Sequence, residues 1–332
     1  MPDPLISVFH LSKTYRVPVR AEGLAAAFKA LLNRTYTDVP AVQDVSFTVQ
    51  PGEMLGLIGP NGAGKTTTLK LLCGLLHPSA GEVRAAGFIP WERKQAYLRR
   101  TSMLLGNKSQ MLWDIPPLDS FRVLSEIYSV PPAEYRRTLD ELVDLLDMKE
   151  LLTKPVRNLS LGERMKCELA ASLLHSPSIM YLDEPTLGLD VSMQIRLRRF
   201  LAEYNQRKGV TVILTSHYMQ DVMALCPRVI LIHHGRLLYD GELNALAQQM
   251  APFKLLRLTL RLENSSPVDL HALPAGVELI EQDNEHLSLR VGRAEAPALA
   301  AYLLNILPIA DLTIEDPPIE AVIDQVYSEG SV

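Results

Sequence analysis

The chain has 332 residues, of which 47% are hydrophobic, and carries a formal net charge of −5. That length predicts two domains, or one large domain with an appendage, and the hydrophobic fraction supports a substantial core. The acidic balance excludes a nucleic-acid binder held by bulk electrostatics, because such a protein needs a strongly basic face.

In chain order, residues 5–11 read as a strand and Val42–Gln50 as a second strand with alternating polarity. Between Tyr15 and Val42 lies a long segment, about residues 17–41. Within it Leu24, Phe28, Leu31 and Leu32 share one face of a helix expected over Glu22–Leu32. That helix reads either as a cover for a sheet edge or as a docking element. Pro51-Gly52 predicts a turn, and Met54–Ile58 a nearly all-apolar strand of the kind buried on both faces. The loop Gly59-Pro60-Asn61-Gly62-Ala63-Gly64-Lys65-Thr66-Thr67 follows and fits G-x-x-x-x-G-K-[ST]. A helix then runs from Lys65 to about Leu72, with Gly74 as its stop.

Asn107 stands at a strand end. From Trp113 to Asn158 the pattern turns helical, with Leu139, Leu142, Val143 and Leu146 at i, i+3, i+4 and i+7. Before it, the run Met111–Phe121 is unusually apolar for a loop, which fits either a partner surface or burial under the helices. Leu159-Ser160-Leu161-Gly162-Glu163 opens a helix that continues through Arg164 to Leu174. Read alone, it is a capping box, with Ser160 as N-cap and an acidic third residue. Strands return at Ile179–Leu182, Val210–Thr215 and Arg228–His233, and His234-Gly235 turns into a last strand near Leu237–Asp240. Strands alternating with helices imply a largely parallel sheet.

Beyond about Ala251 the texture changes to a small α+β pattern. Strands are expected at Leu255–Leu260 and Leu312–Glu315, and a hairpin from Val277–Ile280 and Leu287–Val291. Helices are expected at Ala296–Ile306 and Pro318–Tyr327. No run reaches the roughly 18 apolar residues of a membrane span. The N-terminus also lacks the basic-then-apolar signature of a signal peptide. The sequence is therefore expected to be a soluble chain, and if it serves transport the pore belongs to another polypeptide. Cys73, Cys167 and Cys226 are far apart and outside C-x-x-C spacing, which predicts reduced thiols packed as small apolar groups.

The chemistry concentrates in two places. Gly59, Gly62 and Gly64 free the backbone to aim several N–H groups at one anion, and the helix from Lys65 adds its positive end. Lys65 is expected to neutralise β/γ-phosphate charge, Thr66 to ligate Mg2+ and Thr67 to touch the α-phosphate. The apolar strand Ile179–Leu182 ends in Asp183-Glu184, which places one carboxylate for Mg2+ and a second beside the γ-phosphate.

Taken in their fixed order, the phosphate loop, Asn107, Leu159–Glu163, Ile179–Glu184 and Thr215-Ser216-His217 resemble the ATP-binding subunit of an ABC transporter. Against the family plan the 17–41 segment is an insertion, and it and the Lys108–Asp114 run are similar to the viologen-exporter-like branch of the ABC-2-type exporters, a drug- or lipid-export-like group. The resemblance implies an α/β fold of the P-loop NTPase type. It would have a RecA-like parallel core with antiparallel β and α-helical subdomains, plus a small C-terminal α+β domain. Residues 1–250 would form the ATP-binding domain, with its helical subdomain at about 107–172, and residues 251–332 the accessory domain. Similar tails on such exporters point to regulation or dimer support; a merely stabilising appendage is the alternative.

The resemblance also implies roles. ATP and Mg2+ are the cofactors. The loop Gly59, Pro60, Asn61, Gly62, Ala63, Gly64, Lys65, Thr66 and Thr67 holds the nucleotide, and Tyr15 stacks on adenine. Glu184 polarises the attacking water and His217 contacts the γ-phosphate. Asp183, Thr66 and Asn107 serve the metal. Asn107 stands where the family has glutamine, and Gln110 is a possible substitute. Ser160, Gly162 and Glu163 grip the γ-phosphate held by a second ATP-binding subunit, and Asp190 couples the two sites. Leu161 and Glu163 depart from the family signature L-S-G-G-Q. The implied activity is ATP hydrolysis coupled to export through a separate integral membrane permease, in a homodimer, on the inner face of the cell membrane. The alternative is a soluble ABC ATPase acting on ribosomes or DNA. A single cassette and a short interval between phosphate loop and signature speak against it. Glu184 speaks against a regulatory module without turnover.

Overall fold

The computed structural model describes residues 3–18, 36–106, 108–216, 218–261, 274, 276–283 and 285–329. The expected insertion helix, Asn107 and His217 lie outside them. The chain divides into two compact units, Met1–Glu242 and Leu243–Val332.

Two sheets make up the first unit. The strands β1 (Ile6–Pro18), β2 (Tyr36–Val49) and β4 (Ala80–Ala85) form an antiparallel sheet in the order β2-β1-β4. The main sheet contains β3 (Met54–Ile58), β5 (Thr101–Leu105), β6 (Ile179–Asp183), β7 (Thr211–Thr215), β8 (Arg228–His233) and β9 (Arg236–Glu242), in the order β5-β6-β7-β3-β8-β9. All its pairings are parallel except β8–β9. All five residues of β3 are buried, as its unbroken apolar run requires of a central strand covered on both faces. Phosphate loop and Asp183-Glu184 therefore leave the same edge of the sheet, at the carboxyl ends of parallel strands, where ligands bind in such folds.

The β1–β2 hairpin is longer than its sequence suggested. Pairing continues through Tyr15↔Val39 to Pro18↔Tyr36, so Val17, Pro18 and Tyr36–Ala41 are strand rather than insertion. The signal was lost for two reasons. Register shifts between Val8 and Thr14 break the period of two. Beyond Leu11 both faces are partly exposed, which removes the polarity contrast. The strand β4 was not legible at all, because only Val83 and Ala85 of its six residues are buried.

The expected helical stretch resolves into Pro117–Tyr128 and Pro132–Leu146, each opened by a proline in its first turn. Leu139, Leu142 and Leu146 are buried along one stripe of the second. The next long helix is Leu161–Leu173. No helix among the described residues is long and apolar enough to cross a membrane. All three cysteines are buried and unpaired by disulfides. Burial pushes the thiol of Cys73 up to about 11 and those of Cys167 and Cys226 up to about 12, which leaves them inert at neutral pH.

The second unit contains β10 (Phe253–Leu260), β11 (Glu278–Gln282), β12 (His286–Gly292) and β13 (Ile309–Glu315), all antiparallel in the order β11-β12-β10-β13. Leu256, Leu258, Leu287 and Leu289 bury one sheet face against Leu299 and Leu303 of the helix Ala296–Ile306. The helix Leu243–Met250 clusters with this unit, beside the final helix Ile319–Glu329.

Candidate functional site

The phosphate loop is clamped by backbone from two sides. A Cβ at Gly59 would lie 2.3 Å from the Ile232 carbonyl oxygen, and one at Gly64 would lie 2.3 Å from that of Ala41. Gly64 also has φ 111°, a conformation open to glycine and few others. The Ala63 carbonyl accepts from Gly235 N–H (2.8 Å), and the Gly235 carbonyl from Gln43 N–H (2.7 Å). The loop is thereby stitched to the β8–β9 turn and to β2. The helix Lys65–Leu72 follows with no side chain capping its start, which leaves its first-turn N–H groups and positive dipole end to an anion.

Lys65 is 6% exposed, and its Nζ donates to the carbonyls of Gly59 (2.6 Å) and Pro60 (3.1 Å). Desolvation lowers the pKa of this ammonium, while the carboxylates of Glu184 and Asp183 act in the opposite sense. Thr66 Oγ1 donates to both carboxylate oxygens of Asp183, at 2.9 and 3.0 Å, and Thr215 Oγ1 donates to Asp183 Oδ1 at 2.8 Å. A carboxylate and a hydroxyl converging in this way suit Mg2+, which takes one or two protein oxygens and completes its octahedron with phosphate and water. Thr215 precedes Ser216 in its motif, but its bond to Asp183 spans 32 positions and has no local signature.

Glu184 follows on a left-handed backbone, φ 54°. That conformation costs a residue with a side chain about 1–3 kcal/mol, and it persists only where the surroundings enforce it. Here its N–H is held by both the Thr215 carbonyl (3.0 Å) and Thr215 Oγ1 (3.1 Å). Thr66, Lys70, Gly106, Lys108, Asp183 and Glu184 line a common cavity of about 220 Å³. Lys70 and Lys108 are cationic members of this lining that motif spacing does not reveal.

The signature segment forms its capping box in full. Glu163 N–H donates to Ser160 Oγ (3.2 Å), and Ser160 N–H donates to Glu163 Oε2 (2.8 Å). The second bond holds the Glu163 carboxyl below its ordinary range. Asp190 caps the helix Val191–Lys208, accepting from Met193 N–H at 3.0 Å. The two caps sit together. A Cβ at Gly162 would be 3.0 Å from Met193 Cγ, and one at Gly188 would be 3.1 Å from Leu161 Cδ2. Leu161, where the family signature has glycine, thus packs against the loop that leads to Asp190.

Tyr15 pairs with Val39, two residues from the Ala41 carbonyl that faces Gly64. Lys13 Nζ lies 5.5 Å from its ring centroid. Gln110, the possible substitute for Asn107, is engaged elsewhere: its Nε2 donates to the Met103 carbonyl (3.2 Å) and its N–H to Glu168 (3.0 Å). Ser109 Oγ also donates to Glu168, which is 4% exposed on the signature helix. A buried glutamate among Met165, Leu169 and other apolar residues was a signal that motif reading passed over. The apolar run that follows divides: Met111 and Phe121 are buried, whereas Leu112 and Trp113 are exposed.

Comparison with known proteins identifies the family. Residues 42–187 match the family model described as ABC transporter, and residues 252–315 match that of the EvrA-like ABC transporter, C-terminal domain. The chain is 34% identical over 208 residues to the ABC transporter ATP-binding protein NatA of Bacillus subtilis (strain 168), covering 63% of this chain and 84% of that one. It is 34% identical over 214 residues to the Nod factor export ATP-binding protein I of Burkholderia thailandensis, covering 63% of this chain and 68% of the relative. A solved ATP-binding subunit of an ABC transporter superposes with a TM-score of 0.61 at 26% identity, covering 74% of this chain and 92% of that one. With a phosphate loop, a threonine-bonded aspartate and an adjacent strained glutamate on one sheet edge, and with relatives that share most of their length with it, this chain belongs to the ATP-binding ATPase subunits of ABC transporters.

Proposed function

We propose that two copies of this chain close around ATP and Mg2+ and drive export through a separate membrane permease. The observation that carries the reading is the convergence of Lys65, Thr66, Asp183, Glu184 and Thr215 at the carboxyl edge of one parallel sheet. In this reading Lys65 and the loop amides bind the β/γ-phosphates, and Tyr15 stacks on the base. Thr66 and Asp183 would hold Mg2+, which would neutralise phosphate charge. Glu184 orients the attacking water and takes its proton as the bond to the γ-phosphorus forms and the bond to the leaving ADP oxygen breaks. His217 contacts the same phosphate. Ser160, Gly162 and Glu163 present the start of the signature helix to the nucleotide held by the other subunit, and Asp190 links the two sites.

Export as the direction is supported by the naming of the Burkholderia relative. The permease would dock where Leu112 and Trp113, each more than half exposed, stand beside the Gln110 loop. Such docking would hold the chain peripherally on the inner face of the membrane. The metal assignment has a direct test. Thr66→Val removes the hydroxyl and should raise the Mg2+ concentration for half-maximal hydrolysis about tenfold or more, the scale on which lost partners weaken metal sites. An unchanged Mg2+ titration would remove Thr66 from the metal's surroundings.

A further inference from the structure

Asp221, on the short helix Met219–Leu225, has no exposure to solvent. A carboxylate in that position needs partners, since an unpaired buried charge is strongly disfavoured. It has three, and they come from three different segments. Ser216 Oγ donates to Oδ2 at 2.8 Å, and Thr186 Oγ1 donates to the same oxygen. Arg198 Nη1 donates to Oδ1 at 3.1 Å. Ser216 Oγ in turn accepts from Tyr218 N–H at 3.0 Å. Thr186 and Ser216 are themselves 2% and 3% exposed, so water offers neither an easy replacement.

The origin of these partners matters more than their number. Thr186 lies on the turn two residues beyond Glu184, a turn closed by Leu187 N–H on the Glu184 carbonyl (3.2 Å). Ser216 follows Thr215, whose hydroxyl bonds Asp183 and whose carbonyl holds the Glu184 N–H. Arg198 lies on the helix capped by Asp190. Glu184 sits on a left-handed backbone that its own conformational preference opposes. The strand end anchors the amide side of Glu184. The bond between Thr186 and Asp221 anchors the side that follows it.

We propose that Asp221 is a positioning residue for hydrolysis: it locks the turn after Glu184 against the end of β7 and so fixes the Glu184 carboxylate toward the attacking water. This rests on the reading of Glu184 as the group that orients that water. It predicts that the bond from Thr186 governs turnover and leaves nucleotide binding alone, because the phosphate loop contributes nothing to it. A purely structural ion pair between Asp221 and Arg198 predicts the reverse, a dependence of folding on Arg198 and indifference of turnover to Thr186.

The test uses the full chain with Mg-ATP, and three substitutions probe the donors to Asp221 Oδ2. Thr186→Val keeps the shape and removes the donor, Thr186→Ser restores it, and Ser216→Ala removes the other donor to the same oxygen. The expected result is a fall in kcat of tenfold or more for Thr186→Val, since small misplacements of a reacting group can cost about 10²-fold. ATP affinity and the thermal midpoint should stay near the parent values. Thr186→Ser should return kcat to within about twofold, as the restored donor re-forms the bond, and Ser216→Ala should lower it. Asp221→Leu, measured on protein that circular dichroism shows to be folded, removes the acceptor of both hydroxyls and should match Thr186→Val. The proposal is overturned if Thr186→Val keeps its kcat, if Thr186→Ser fails as badly as valine, or if kcat falls only together with ATP affinity and thermal midpoint. Glu184→Gln serves as the reference. Should it keep full turnover, the reading of Glu184 itself falls; should it silence the enzyme while Thr186→Val does not, only the role of Asp221 falls.

Discussion

Glu184→Gln should lower ATP turnover by about 10²–10⁴-fold, the usual contribution of a positioned general base, and leave ATP binding intact. Glutamine keeps the size and one oxygen of the side chain but can neither carry the charge nor take the proton. Phosphate binding rests on other groups, the amides of the Gly59–Gly64 loop and Lys65, which is held by the Gly59 and Pro60 carbonyls. Removing one of the two carboxylates that act on Lys65 also takes negative charge away from the phosphates. Under the proposed two-chain arrangement, ATP should then accumulate a dimer that size-exclusion chromatography resolves. Parent-like turnover would remove Glu184 from its role.

The second large effect is expected at Gly64. Gly64→Ala places a Cβ 2.3 Å from the Ala41 carbonyl oxygen on a backbone with φ 111°. The backbone conformation alone costs about 1–3 kcal/mol, and the clash adds to it. Ala41 cannot yield easily, because the neighbouring Gln43 and Gly235 are bonded to each other and to the loop. The loop must therefore move, and its amides lose their common target. ATP affinity should fall by more than tenfold, a factor that about 1.4 kcal/mol of lost binding produces. Gly62→Ala is the internal comparison. Gly62 also has positive φ, 80°, yet a Cβ there meets nothing within 4 Å, so its affinity should fall much less. Equal affinities for both variants and the parent, measured by nucleotide titration, would show that the clamp does not shape the site.

What the sequence disclosed follows from where the partners lie. The phosphate loop was legible because its residues are consecutive, so the motif is written in a contiguous string. Asp183 and Glu184 were legible because an apolar strand delivers both to the same edge. Ser160 and Glu163 were legible as a cap because their two bonds span three positions. Thr215, Glu168 and Asp221 were not. Each acts on a residue 31 to 58 positions away, as in Glu184 N–H to Thr215, Gln110 N–H to Glu168 and Thr186 to Asp221, and each looks locally like an ordinary polar residue in a strand or helix. The hairpin β1–β2 was underestimated because register shifts scramble alternation. Membership of the helix Leu243–Met250 in the second unit was hidden because it depends on packing beside a helix some 70 residues later.

Each hydrolytic site is proposed to be assembled from two chains, with Lys65 from one and Ser160 from the other. The most direct test mixes two inactive proteins. Lys65→Ala disables the phosphate loop, and Ser160→Arg blocks the signature while costing only about 1 kcal/mol of helix capping. Alone, each should be nearly silent. Mixed in equal amounts, random pairing creates dimers in which one site receives both intact halves, and hydrolysis should return to roughly a quarter of the parent rate, as a two-fold interface requires. Full activity of Ser160→Arg on its own, or silence of the mixture at every ratio, would contradict a shared site.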